Sequence, residues 1–293
     1  MKPVPIPVVS TASLVPGPGS QPSEATALDF LAMPQGMNTY SMPRIPEAAD
    51  TDAMARACDL LAGLHQRLNA WRPHDPDYPR LDLSGVDRAT RAVVNEVTGE
   101  GEVGIRITGP HEVRIQETVF AGIWRVCRFD ENGRLAADEL ECCAMPDVVR
   151  RAALDGAAPQ PAAVDIPAAA MNSPSLLHEI RAQMKTYRAG MPAHVINFTL
   201  LPLSPEDHVC LENALPFGPV AMISRGFGNC RISSTTARNV WRVQYFNNMQ
   251  TLILDTLEVV DVPEVALAAA EDLADSCERL AELVTWMGES GAV

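Results

Sequence analysis

A displacement of 117 residues lays positions 109–155 of this 293-residue chain onto 226–272 without a gap, and 17 of the 47 pairs are identical. Ordinary residue frequencies would supply roughly three. Trp124, Arg125 and Val126 fall on Trp241, Arg242 and Val243; Arg114 falls on Arg231, Phe129 on Phe246, Asp138 on Asp255, and Glu141 on Glu258. After a one-residue shift, LLAGLHQRLNAWR at 60–72 falls on LLHEIRAQMKTYR at 176–188. A period this long exceeds any solenoid unit, so each copy is expected to be a small fold of its own. The expected class is α+β: a tandem duplication of a roughly 100-residue module, each copy an antiparallel sheet packed by helices, the two related by a pseudo-twofold axis.

The two copies check each other's secondary structure. Leu60, Leu61, Leu64, Leu68 and Trp71, matched by Leu176, Leu177, Ile180, Met184 and Tyr187, recur at helical spacing. A short strand follows (RLDLSG or HVINFTLL), then a helix starting near Ser84 or Ser204; SPEDHVCLENAL carries Ser at the cap and Pro in the first turn. Four strands come next, and alternation in VWRVQYF puts Trp241, Val243 and Tyr245 on the face opposite Val240, Arg242, Gln244 and Phe246. DENG at 130–133 and NNMQ at 247–250 occupy matching hairpin positions. Each copy closes with a helix announced by Pro146 or Pro263. The second runs long, with Leu273, Cys277, Leu280, Val284 and Met287 forming a core stripe.

Proline and alanine mark the boundaries. Residues 1–46 hold nine of the 24 prolines, so 1–56 reads as an extended arm. GAAPQPAAVDIPAAA at 156–170 reads as a linker. Between and after them lie a first repeat at 57–155, a linker at 156–172 and a second repeat at 173–293. A net charge of −14 with no basic run argues against nucleic acid as a partner. No run of eighteen apolar residues and no signal-peptide core appears, so a cytoplasmic protein without membrane insertion is expected. Seven cysteines without a CxxC pair read as reduced thiols.

No catalytic constellation, metal cage or nucleotide motif is found, and no catalytic, cofactor or metal residue is assigned. His208 and Cys210 share a predicted helix but point in different directions. Cys142 and Cys143 should face opposite sides of a strand, one buried and one more exposed. Cys230, beside Arg231, could be a reactive thiol, since a neighbouring guanidinium favours a thiolate, but its counterpart Val113 points to a core role. The retained arginines and carboxylates read as cross-strand ion pairs. Uncharged amides, a Tyr and a Met mark the second copy where the first has charged residues, and this composition suits protein binding better than acid–base catalysis. The candidate partner-binding residues are Arg231, Arg238, Asn239, Trp241, Arg242, Tyr245, Asn247, Asn248 and Gln250.

The run GNCRISSTTARNVWRVQYFNNMQTLILDTLEVVDVPEVA resembles the C-terminal region of the HupH/HyaF/HoxQ family, accessory proteins of nickel–iron hydrogenase operons; the likeness extends more loosely to the first copy and to MPQGMNTYSMPRIPE. The resemblance implies a cytoplasmic maturation factor, not an enzyme. It would act as a chaperone for the iron–sulfur small-subunit precursor of an uptake hydrogenase before twin-arginine export, beside a thioredoxin-like companion. It brings no catalytic residues. The competing reading is a redox or iron–sulfur cluster insertion or repair enzyme using Cys230 with Cys142 or Cys143.

Overall fold

In a computed structural model, the protein is described over residues 51–290, apart from 73, 74, 76, 227 and 228. The remainder of the proline-rich arm lies outside the described residues. Ten strands form one antiparallel sheet: β1 (Arg80–Asp82), β2 (Val103–Ile107), β3 (Val113–Glu117), β4 (Ile123–Phe129), β5 (Leu135–Cys142), β6 (His194–Asn197), β7 (Phe217–Ser224), β8 (Asn229–Thr235), β9 (Val240–Phe246) and β10 (Leu252–Val259). Their order is β1-β5-β4-β3-β2-β7-β8-β9-β10-β6, so the halves meet at β2 and β7 and the order outward from that seam is alike on both sides. At the seam Ile105 pairs with Met222, the residue 117 positions on, and Gly104 and Arg106 pair with Ile223 and Ala221. The fold is therefore mixed helix and antiparallel sheet, as expected.

Six helices cover the sheet: α1 (Thr51–Ala70), α2 (Arg88–Thr98), α3 (Asp147–Leu154), α4 (Ser173–Thr186), α5 (Pro205–Ala214) and α6 (Ala270–Ser290). On one face α1, α2 and α6 bury Leu81, Leu83, Ile123, Leu140 and Cys142 of the first half. On the same face α4 and α5 bury Ile196, Val240, Leu257 and Val259 of the second. The opposite face carries a core continuous across the seam, with Ile105, Ile115, Trp124, Met222, Ile232 and Trp241 under α3 and the turn at Glu264–Ala266. Both faces are thus apolar, which explains why Cys142 and Cys143, on opposite faces, are both buried. The expectation of one exposed thiol is corrected on that ground.

Local signals succeed where a cap is present. Ser204 caps α5 and accepts from Asp207 N at 3.1 Å, while the Asp207 carboxylate accepts from Ser204 N, a reciprocal capping box. In the first half the cap is Asp87, which accepts from Thr90 N at 3.0 Å. Ser84, the expected cap, instead accepts from Asp138 N at 3.2 Å, and Thr199 does the same for Asp255 N at 2.8 Å. HVINFTLL is a strand only to Asn197, and Phe198–Leu200 closes it with a 3-10 turn. Helix α1 begins at Thr51, so the last residues assigned to the arm are helical. The stretch 156–172 is held against the second half, with Ala158 N donating to Thr236 O, Arg238 N to Ala158 O, and Ala162 N to Ala214 O.

The long C-terminal stripe is core, but it packs on the first half. Leu273, Leu280 and Met287 join the cluster under α1, Ser276 Oγ donates to Ala121 O at 2.9 Å, and Arg279 lies over the Phe120 ring at 5.2 Å. This contact explains one difference between the halves. Gly122 and Asn239 occupy matching left-handed positions (φ 79° and 59°), but a Cβ on Gly122 would meet Leu273 Cδ1 at 2.2 Å. Asparagine tolerates the backbone; only glycine also admits the helix. Gly122→Ala is expected to destabilise the protein by about 3 kcal/mol through strain and overpacking, whereas Asn239→Gly should shift it by less than about 1 kcal/mol. Denaturant unfolding of the two variants measures both.

Candidate partner surface

The repeated Trp-Arg-Val triplet is framework. Trp124 and Trp241 are buried, and each indole satisfies its N–H on the chain after the next strand: Trp124 Nε1 donates to Cys143 O at 2.9 Å, Trp241 Nε1 to Val260 O at 3.1 Å. Arg125 and Arg242 grip Asp138 and Asp255 with two parallel bonds each, at 3.0 and 2.8 Å and at 3.0 and 2.7 Å. Such a fork locks β4 to β5 and β9 to β10 by matching guanidinium to carboxylate. The expected cross-strand ion pairs are present here. Arg114 and Arg231 lie over the Phe129 and Phe246 rings at 4.7 and 4.5 Å, and Arg114 also grips Glu112 with two bonds at 3.0 and 3.1 Å.

The nine candidate partner residues do not form one patch. Trp241 and Arg242 are buried and withdrawn from any surface. Arg231 stacks on Phe246 on one face of the sheet, while Tyr245 lies on the opposite face. Arg238 and Asn239 stand at the β8–β9 turn; Asn247, Asn248 and Gln250 stand at the other end, in the β9–β10 hairpin. That hairpin is built by Asn247, whose Oδ1 accepts from Met249 N and Thr251 N at 2.9 Å, as Asp130 Oδ1 does from Asn132 N and Arg134 N in the first half. Asn248 and Gln250 are exposed.

Beside them stand Met249, which the sequence already marked as peculiar to the second copy, and two apolar residues that sequence reasoning missed, Ile253 and Leu200. Met249 is 85 % exposed, Ile253 56 % and Leu200 79 %. Leu200 stands on the turn packed against β10. Matching positions in the first half are Asn132, Ala136 and Gly85, so at these three places exposed apolar bulk belongs to the second half, whereas Leu135 and Leu252 are exposed in both. The signal was present in the repeat, at an offset of 117 for Met249 and Ile253 and of 115 for Leu200, read at surface rather than core positions.

The cysteines do not assemble. All seven are free, and Cys142, Cys143 and Cys230 are buried. Cys143 follows β5 and Cys230 lies on β8, five strand spacings apart, or about 24 Å. Burial pushes the Cys142 and Cys230 thiols up to about 12, away from the thiolate a redox or cluster-transfer reaction needs. The cysteine-based enzyme reading is corrected for this reason. Arg231 does not activate Cys230, because adjacent residues of a strand point to opposite faces. His208 and Cys210 are separated in the same manner on α5, with Cys210 in the core. Among the described residues no group of three His, Cys, Asp or Glu is placed to hold a metal ion, and no helix is long and apolar enough to cross a membrane.

The family model for the HupH hydrogenase expression protein, C-terminal conserved region, matches residues 54–164 and 170–287. The chain belongs to this family. It is 44 % identical to the hydrogenase expression/formation protein HoxQ of Cupriavidus necator over 98 % of this chain and 99 % of that one. It is 39 % identical to the HupH protein of Rhodobacter capsulatus over 92 % and 94 %, and 31 % identical to the hydrogenase-1 operon protein HyaF of Escherichia coli over 94 % and 96 %. A solved structure, the hydrogenase expression protein HupH from Thiobacillus denitrificans, aligns with 40 % of this chain and 96 % of its own, with 28 % identity and a TM-score of 0.34. HoxQ and HupH are named as hydrogenase expression/formation proteins and HyaF as a hydrogenase-1 operon protein, names consistent with an accessory role for this HupH-family chain.

Proposed function

We propose that this chain is a cytoplasmic maturation accessory of a nickel–iron uptake hydrogenase, a chaperone that holds the iron–sulfur small-subunit precursor before twin-arginine export and works beside a thioredoxin-like companion. The carrying observation is the asymmetry between halves that share a framework: the indole anchors and Arg–Asp forks recur, while exposed Met249, Ile253 and Leu200 stand where the first half has Asn132, Ala136 and Gly85. Exposed apolar residues grouped at one end, with polar Asn248 and Gln250 beside them, suit binding to another protein. The reading also takes the chain as a tandem duplicate, 57–155 and 173–293 joined at 156–172, with a pseudo-twofold axis between Ile105 and Met222. Supporting it are the family model's two matched regions, the alike strand order on either side of the seam and the pairing of Ile105 with its own counterpart.

The test is capture of the small-subunit precursor by the purified full-length chain. Wild type is expected to retain it, and Ile253→Asp and Asn248→Ala to weaken retention while melting like wild type. Equal retention by both variants removes this surface from the proposal, and no retention by wild type removes the precursor.

A further inference from the structure

Glu141 and Glu258 occupy matching places on β5 and β10, each opposite the framework tryptophan of the neighbouring strand. Their surroundings differ. Glu141 is enclosed by a complete set of partners: Arg128 NH2 donates to its Oε1 at 3.0 Å and Tyr78 OH to its Oε2 at 2.7 Å. Arg80, directly opposite in the β1 register, lies over the Tyr78 ring at 4.5 Å and is stabilised as a cation by Glu141 and Glu139. In the second half the charged members of this set are replaced. Tyr245 stands for Arg128, Val195, opposite Glu258 in the β6 register, stands for Arg80, and Thr256 stands for Glu139.

The carboxylate has thus been kept while both of its arginines have gone. Glu258 is reached by Thr256 Oγ1 at 3.5 Å, and no ion pair among the described residues involves it. It lies half-buried between Val195, which is exposed, and Trp241, with Tyr245 four residues along β9 on the same face, its hydroxyl bonded to Cys230 on β8. Burial, with Glu264 nearby, raises its pKa, as expected for a carboxylate without a cation. A guanidinium entering here would meet the Glu258 carboxylate from the places, now held by Val195 and Tyr245, that Arg80 and Arg128 fill around Glu141 in the first half.

We propose that Glu258, Tyr245 and Val195 form a socket for an arginine side chain of the partner protein, filled in trans where the first half fills its equivalent in cis. This rests on the reading that the chain binds another protein, and it names the chemistry of one contact. The −14 net charge favours approach of a basic segment, and the socket fixes where a single arginine seats.

The probe is the peptide acetyl-Ala-Ala-Arg-Ala-Ala-amide, titrated into the full-length protein by heteronuclear NMR, with the citrulline peptide as the neutral isostere. Shifts of Tyr245 and Glu258, with at least tenfold weaker binding of citrulline, are expected. Glu258→Gln and Tyr245→Arg, the second supplying the first half's own arginine, should each lose at least tenfold. Glu131→Gln, which removes the same charge from an exposed hairpin, should leave binding unchanged. Equal binding by Glu258→Gln and Glu131→Gln, or of arginine and citrulline peptides, overturns the socket. The precursor is measured in parallel: if the peptide results hold and wild type ignores the precursor, the small-subunit reading fails and the socket stands; if the precursor binds wild type and Glu258→Gln equally, the socket fails and that reading stands.

Discussion

Asp255→Ala is expected to lower the unfolding free energy by about 3–5 kcal/mol, because it leaves the Arg242 guanidinium buried without its bidentate partner. Glu212, 3.6 Å from Arg242 and more exposed, is the carboxylate left to it. In a domain of this size the loss corresponds to a melting temperature roughly 10 °C lower. Replacing the pair together, Arg242→Met with Asp255→Leu, should recover most of the loss, since two apolar side chains avoid the desolvation that both ions undergo. Thermal melts of the three variants measure this. A single variant that melts like wild type would show that the fork adds no stability. Arg242→Glu would set a third carboxylate beside Asp255 and Glu212, so any effect of that variant on partner binding reports unfolding rather than a lost contact.

The fork also shows what the repeated residues disclosed and what they concealed. Identity at 125 and 242, and at 138 and 255, was visible in the sequence and correctly indicated a cross-strand pair. Which partners the other arginines take was not, because strand spacing leaves a guanidinium free to meet a carboxylate, an aromatic ring or both; Arg231 lies over Phe246, while Arg114 lies over Phe129 and also pairs with Glu112, two residues away on its own segment. Alternation along VWRVQYF placed Trp241 and Arg242 on opposite faces correctly, yet both were expected to be available to a partner. A strand pattern shows which residues share a face, but not whether another layer covers it, and here each face carries a core. The apolar outer end of the second half was legible only by comparing surface positions across the repeat, where Ile253 opposes Ala136 and Met249 opposes Asn132. The loss of both arginines around Glu258 needed strand registers, because Arg80 and Val195 are 115 residues apart, off the main offset.

The destination of the last helix was likewise invisible in its heptad-like stripe, and it has the larger consequence for stability. A chain ending at residue 268 is expected to lose cooperative folding of the first half. Leu273, Leu280 and Met287 are nearly fully buried against α1 and the sheet, and at about 1.5–3 kcal/mol for each such side chain their removal forfeits roughly 5–9 kcal/mol. Whole-domain stabilities run to about 5–15 kcal/mol, so the deficit is comparable to the total. Truncation also uncovers the side chains on which α6 rests and unpairs the Ala121 and Val119 carbonyls from Ser276 and Arg279. The truncated protein should bind a hydrophobic dye and show exchange of amides in β4 and β5 that are protected in the full chain, while a peptide spanning 269–293 added in trans should restore protection. Melting of the truncated chain within a few degrees of the full chain would show that the helix rests on an already sufficient core. The opposite result would mean that the first half depends on the end of the chain to complete its fold, so that its protection in β4 and β5 appears only once residue 287 has been made.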